Sequence, residues 1–181
     1  IPLQPVLEEH RRRRKKDPDA IMTMVARRTR HPGVVERVGA HQLVCVVDPE
    51  TRQLVHYEPC PVPEAFASTS LEASLFGERP RLAVRTDLVD AHVDLCSPEV
   101  LGIVNDNFDY QHLRRDFVMG VLSEEELGKK IYLHALDMGH VVAVRGLRSY
   151  AAAMRDVVSQ WVWPYSLPTG VLQRDGGGQD G

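Results

Sequence analysis

Apolar residues in this chain gather in short runs separated by turn-forming stretches, and the spacing inside each run sets the element it predicts. LQPVLEEHRRRRKK (3–16) predicts a short helix, with Val6 and Leu7 as its apolar contact and acids ahead of bases. AIMTMVARR (20–28) is apolar on both faces and predicts an interior strand. QLVCVVD (42–48) and RQLVHYE (52–58), joined by PET, predict a β-hairpin. RLAVRTDLV (81–89) and AHVDLC (91–96) predict two further strands. Residues 28–41 predict a loop and residues 59–70 a proline-rich connector.

The helical periodicities come later in the chain. SPEVLGIVNDNF (97–108) predicts a helix with Ser97 as N-cap, Pro98 in the first turn and Glu99 at the positive end. LRRDFVMGVLSEEEL (113–127) predicts a second helix, interrupted near Gly120. KIYLHAL (130–136) and HVVAV (140–144) predict a strand pair around DMG. In LRSYAAAMRDVVSQWV (147–162), Leu147, Tyr150, Ala151, Met154, Val157, Val158, Trp161 and Val162 form one continuous stripe. That stripe predicts a core-facing helix, with Met154 and Trp161 as core residues and Pro164 and Pro168 ending it. Residues 172–181 predict a flexible tail. The mixture is α/β, and a parallel sheet layered with helices is its natural class.

Composition narrows the functional classes. The 181 residues suffice for one domain, and 26% of them are charged. No apolar run approaches the roughly 20 residues of a membrane-spanning helix. A net charge of -3 gives no global reason to expect nucleic acid. RRRRKK (11–16) reads as a solvated helix end in preference to an import or nucleic-acid signal. Cys45, Cys60 and Cys96 have no CxxC spacing, so no metal site is expected; Cys45 and Cys96 read as small core residues in a reducing compartment. The sequence has no Walker loop, GxGxxG, GxSxG or HExxH. His31 and His41 fall in a loop, and His134 and His140 flank a turn, none with a positioned partner for acid–base work. No cofactor is expected. Because the first residue is Ile1, the chain is expected to be a piece of something longer.

One stretch stands apart. NDNFDYQHLRRDF (105–117) holds three acids, two arginines, two asparagines and three aromatic rings, too polar for a buried strand and too aromatic for an ordinary solvated helix. Its chemistry alone supports two readings: Phe108 packed between two helices with Asn107 capping a backbone group, or Phe108 anchoring an interface. The helix begun at Ser97 is expected to end near Asn105, and an asparagine suits the left-handed backbone found past a helix end.

LEEHRRRRKK and IMTM (7–24), HVDLCSPEVL (92–101), DNFDYQ with RDFVMGVL (106–122) and SYAAAMRDVVSQWVWP (149–164) together resemble the epsilon-subunit family of eukaryotic translation initiation factor 2B, in that family's order. The resemblance implies the later half of a nucleotidyltransferase-like domain: an α/β, Rossmann-like mixed sheet with flanking helices whose N-terminal strands are missing. It assigns residues 1–166 to that domain portion and 167–181 to a flexible tail. The family's β-helix repeats and its C-terminal HEAT-type domain, which performs guanine-nucleotide exchange, have no counterpart expected in this segment.

The related sugar-nucleotide enzymes need two metal-binding carboxylates. Aligned on Tyr150, this chain has Ala143 where one aspartate is expected and Arg145 in place of a glycine, and His92 takes the place of a small substrate-facing residue. The resemblance therefore implies a non-catalytic scaffold and interaction domain that supports exchange on the GTP-binding initiation factor two. Its expected partners are sibling subunits, chiefly gamma, in the cytosol, with no nucleic acid and no membrane. The competing reading is a sugar-phosphate nucleotidyltransferase making a nucleotide sugar. In the family the Asn-Phe pair is associated with exchange and with contact to the substrate factor, which implies Asn107 and Phe108 as partner-binding residues, with Asp106, Asp109 and Tyr110 beside them. Without the missing strands, the segment is expected to expose sheet edges and an apolar face and to be poorly soluble alone.

Overall fold

The computed structural model describes residues 3–29, 42–60, 71, 73–79, 81–137, 139–144 and 146–162. Most of the expected loop at 28–41, most of the connector at 59–70, and the division near residue 166 lie outside the described residues.

The elements are α1 (Leu3–Lys16), β1 (Ala20–Arg28), β2 (Gln42–Val47), β3 (Gln53–Cys60), α2 (Ser74–Glu78), β4 (Ala83–Cys96) and α3 (Glu99–Asp106). A π-helical segment (Leu113–Val118), α4 (Met119–Ser123), a 3₁₀ turn (Glu125–Leu127), β5 (Lys130–Leu136) and α5 (Leu147–Val158) follow. The strands form one mixed sheet in the order β1-β4-β2-β3-β5, flanked by helices.

Among the described residues only β1 and β5 run parallel; the β1–β4, β2–β3, β2–β4 and β3–β5 pairs are antiparallel. This corrects the expected parallel sheet. A parallel pair needs a long crossover, which the chain between β1 and β5 supplies once, whereas short turns favour antiparallel neighbours.

The sheet also closes on itself. β3 meets β5 at Gln53↔Tyr132 and Leu54↔Ile131, and Leu133 N–H donates to the Arg52 carbonyl at 2.9 Å. Closure removes the open edges expected from missing strands. The seam is short, and α4 packs on both β3 and β5 beside it.

β1 is buried along nearly its whole length because both its edges and both its faces are used. Met22, Met24 and Ala26 pack inward with Leu43, Cys45, Leu54, Leu88 and Leu133, and Phe117, Val118 and Val121 complete that core. Val25 packs with Val6 of α1 and with Leu136. His10 of α1 is buried against the sheet, its Nδ1 at 2.9 Å from Thr23 Oγ1.

Four local expectations are corrected. The runs 81–89 and 91–96 are one strand, β4, broken by a bulge rather than a turn: opposite Val25 and Ala26 of β1 stand Val93 and Asp90, leaving Ala91 and His92 as extra residues. The 140–144 run forms no strand, because β5 takes its partners from β1 and β3 instead of from its sequence neighbour. Cys96 is exposed, while Cys45 is buried as expected. Finally, α5 turns its apolar stripe outward. Its buried residues are Ser149, Ala152 and Asp156, and Leu147, Tyr150, Met154, Val157, Val158 and Trp161 are all exposed. His140 Nε2 lies 3.5 Å from Asp156 Oδ2, so a polar contact replaces the predicted apolar one.

Candidate functional site

The segment from 105 to 117 is built as a turn standing on a charged and aromatic footing. α3 ends at Asp106, and Asn107 follows with an extended backbone (φ -121, ψ 102). The left-handed residue expected past this helix is therefore absent: the chain leaves α3 straight into a turn. Ser97 does not cap α3 with its side chain either; its carbonyl accepts from Val100 N–H at 3.1 Å, and its hydroxyl is buried with no hydrogen bond.

The turn is pinned twice. Tyr110 N–H donates to the Asn107 carbonyl at 3.2 Å, and Asp109 N–H donates to Asn107 Oδ1 at 3.1 Å. Asn107 suits this position because its short amide reproduces a backbone acceptor two residues ahead. Phe108 sits at the crest and is 91% exposed. The reading that packs it between helices does not hold. Asp106 and Asp109 are exposed on either side of it.

Tyr110, expected with them at the surface, points inward. Its ring meets Phe117 edge-on, with centroids 5.6 Å apart and planes at 86°, a geometry that matches the positive edge of one ring to the negative face of the other. The ring also lies on Gly120: a Cβ there would come within 2.6 Å of Tyr110 Cε1 and Oη. The interruption foreseen near Gly120 is thus the space that Tyr110 occupies. Gly120→Ala is expected to push the ring out and to cost about 1–3 kcal/mol of stability, read as a lowered urea midpoint; an unchanged midpoint would remove Tyr110 as the anchor.

The second footing is electrostatic. A π-helical segment begins after His112, with Phe117 N–H reaching back to the His112 carbonyl at 3.2 Å. Asp116 Oδ2 accepts from the backbone N–H of Gln111 at 3.1 Å and of His112 at 2.7 Å, capping the segment's start. This wide turn delivers Arg114 to the β4 bulge. Arg114 Nε and Nη2 donate to Asp90 at 2.5 and 2.9 Å, and Nη1 and Nη2 donate to Asp94 at 2.7 and 2.8 Å.

The bulge orients those carboxylates. Asp90 Oδ1 accepts from His92 N–H at 2.8 Å, and His92 has φ 50, a left-handed conformation that an L side chain adopts at a cost. Tyr57 Oη lies 3.4 Å from Asp90 Oδ2. Burial opposes ionisation of Asp90, but the Arg114 hydrogen bonds and charge prevail and lower its pKa. For Asp94, burial wins and, helped by the neighbouring Asp90 charge, raises the pKa despite Arg114. A cleft of about 300 Å³ lies over this cluster, lined by His92, Asp94, His112, Leu113 and Arg114.

Nothing in the hydropathy pattern singles out Asp90, Asp94 and Arg114. The signal that could have found them is two acids four apart on one strand followed by an arginine in a polar, aromatic stretch. No cluster of three metal-ligating side chains exists among the described residues. Ala143 offers only a methyl group, and no helix among the described residues is long and apolar enough to cross a membrane.

No family model matches the chain. Among curated proteins it is similar to translation initiation factor eIF2B subunit epsilon of Schizosaccharomyces pombe, 40% identical over 174 residues covering 96% of this chain and 25% of that protein. It is also similar to the subunit of the same name from Dictyostelium discoideum, 34% identical over 164 residues covering 90% of this chain and 22% of that protein. The chain thus spans about a quarter of the length of these relatives. Among solved structures, a CMP:2-keto-3-deoxy-manno-octonic acid synthetase complexed with CTP matches 87% of this chain and 57% of that one, at 13% identity and a TM-score of 0.44.

Proposed function

We propose, for a chain that belongs along nearly its whole length to the epsilon-subunit family of translation initiation factor 2B, that it is a non-catalytic interaction domain of that factor. Its role is to present the Phe108 turn to the GTP-binding initiation factor two, within a cytosolic complex whose sibling subunits, chiefly gamma, dock elsewhere on the domain. Exchange chemistry belongs to another domain of the full subunit.

The observation that carries this reading is the exposure of Phe108 on a turn that is itself fixed. Leaving a phenyl ring in water is unfavourable for a free surface, whereas a rigid aromatic knob suits the centre of an interface, where such residues dominate the binding energy. Asp106 and Asp109 flank it and would steer a basic partner surface and raise its encounter rate. Asn107 acts through the backbone, and Tyr110 through Phe117 and Gly120; both position Phe108 and leave the contact to it. The non-catalytic half of the reading is supported by Ala143, because a methyl group supplies no oxygen ligand to magnesium.

The test is Phe108→Ala in the full-length subunit, assembled with its siblings. Exchange on initiation factor two is expected to fall about tenfold or more while assembly and melting temperature stay unchanged, since the ring is exposed. Normal exchange by a stably assembled variant would overturn the docking role. Turnover of a nucleoside triphosphate and a sugar phosphate with magnesium would overturn the non-catalytic one.

A further inference from the structure

We propose that the cleft between the C-terminal half of α1 and the β2–β3 turn binds a small phosphate-bearing ligand, with Arg52 as the residue that closes the site around it. The cleft encloses about 540 Å³ and is walled by Arg12, Arg13, Lys16 and Arg52, with Tyr132 and Thr51 between them. Three acids, Glu9, Asp17 and Glu50, also reach it. Two of these are already engaged. Asp17 pairs with Lys130 Nζ at 2.7 Å and accepts from Tyr132 Oη at 3.5 Å. Glu9 is shared by Arg13, His134 and Arg52, the last at 3.5 Å. Arg12 and Lys16 have no ion-pair partner among the described residues.

The plain explanation for arginines and a lysine at the end of α1 is that cations complement the negative end of a helix. It accounts for Arg12, Arg13 and Lys16. It does not account for Arg13 lying over the Tyr132 ring, its Cζ 4.8 Å from the centroid, with Nη1 buried and lacking any acceptor among the described residues. Nor does it account for Arg52, which comes from a different element.

Arg52 is the sharper observation. The turn before it is fixed by Asp48, whose carboxylate accepts from Glu50 N–H at 2.8 Å and Thr51 N–H at 3.2 Å, and whose carbonyl accepts from Arg52 N–H at 2.8 Å. The turn's last residue is left-handed, with φ 63. Glycine or asparagine fits that position readily, whereas a long side chain is strained there. The turn's backbone does not call for arginine; what arginine adds is a guanidinium over the cleft, 3.5 Å from Glu9 and facing the α1 bases.

Four cations from two elements, around a concave space of this size, match an anion of more than one charge. Planar guanidinium forks pair with phosphate oxygens two at a time, and a phosphate group offers more oxygens and more charge to several forks at once than a single carboxylate does. The site is concave and local on a chain of net charge -3, which suits a small molecule over a nucleic-acid backbone.

The probe is inorganic pyrophosphate, titrated into the full-length subunit at constant ionic strength and followed by calorimetry and by melting temperature. Saturable binding is expected, with the melting temperature rising with the logarithm of ligand concentration. Arg52→Gly is the decisive variant. It removes the guanidinium while relieving the left-handed backbone, so affinity is expected to drop about tenfold with the unliganded melting temperature equal or higher. Arg12→Ala and Lys16→Ala are each expected to weaken binding. The proposal is overturned by absence of saturation up to roughly 10 mM pyrophosphate, by undiminished binding in Arg52→Gly, or by an equal melting shift from sodium chloride at matched ionic strength. The proposal stands independently of the Phe108 docking role, and neither result bears on the other.

Discussion

Arg114→Ala is expected to destabilise the fold by about 3–5 kcal/mol. The reason is what stays behind. Asp90 is 1% exposed and Asp94 nearly as enclosed, and Arg114 supplies all four of the charge-assisted hydrogen bonds that join them to the π-helical segment. Without it, two carboxylates four residues apart on one strand face each other in a poorly solvated site. Equilibrium urea unfolding measures the loss, and a shift of the midpoint within error would mean that water screens the cluster. Arg114→Lys is not a rescue, because an ammonium cannot reproduce a fork that bonds two carboxylates at once.

Acid titration of the unsubstituted chain gives a second readout of the same cluster. Asp90 has its pKa lowered in the folded state, so its contribution is present above the unfolded carboxylate value of about 3.9 and disappears as pH falls through the folded value. Asp94 has its pKa raised; it takes up a proton first as pH falls, which relieves repulsion and leaves the Arg114–Asp90 pair intact. The cluster is therefore expected to add stability as Asp94 takes up its proton and to lose it as Asp90 does, along with the other carboxylates held low by their partners, Glu9, Asp17 and Asp87 among them. The Phe108 turn should loosen in the same range, because Arg114 fixes the segment that follows it.

The other large expected effect concerns α5. Leu147 is 86% and Val158 69% exposed, on a stripe that runs the length of the helix. Contiguous apolar surface of this kind drives association. The 181-residue chain alone is expected to self-associate with rising concentration, and Leu147→Lys with Val158→Lys to abolish that association. Because these side chains are exposed among the described residues, the fold should lose no more than about 0.5 kcal/mol. Light scattering against concentration, with urea unfolding alongside, checks both halves. A double variant that scatters like the parent would move the sticky surface elsewhere; one that unfolds would mean the stripe is packed after all. The poor solubility anticipated from open strand edges is thus reassigned to a helix face, since the sheet closes.

Much of the architecture is legible in the residues. The hairpin at β2 and β3, the interior character of β1 and the existence of α1, α3 and α5 follow from period and turn chemistry. So does the special status of residues 105–117, because three rings and five charges in thirteen residues fit no ordinary element. The order of motifs along the chain likewise carries the family, which the similarity to the two curated subunits bears out.

What the residues determine by themselves is local: which stretches are helix or strand, and which face of each is apolar. Tertiary structure alone decides where those faces go. A 3.6-residue period shows that α5 has an apolar side, but whether that side finds a wall depends on what surrounds it, and here Ser149, Ala152 and Asp156 face the protein instead. HVVAV has the composition of a strand, yet β5 is joined by β1 and β3. Asp90, Asp94 and Arg114 look like ordinary surface charge until a bulge and a π-helical turn, 20 residues or more apart in the chain, bring them into contact. Pairing partners across such distances are chosen by the closure of the whole sheet, a long-range condition that no window of sequence contains.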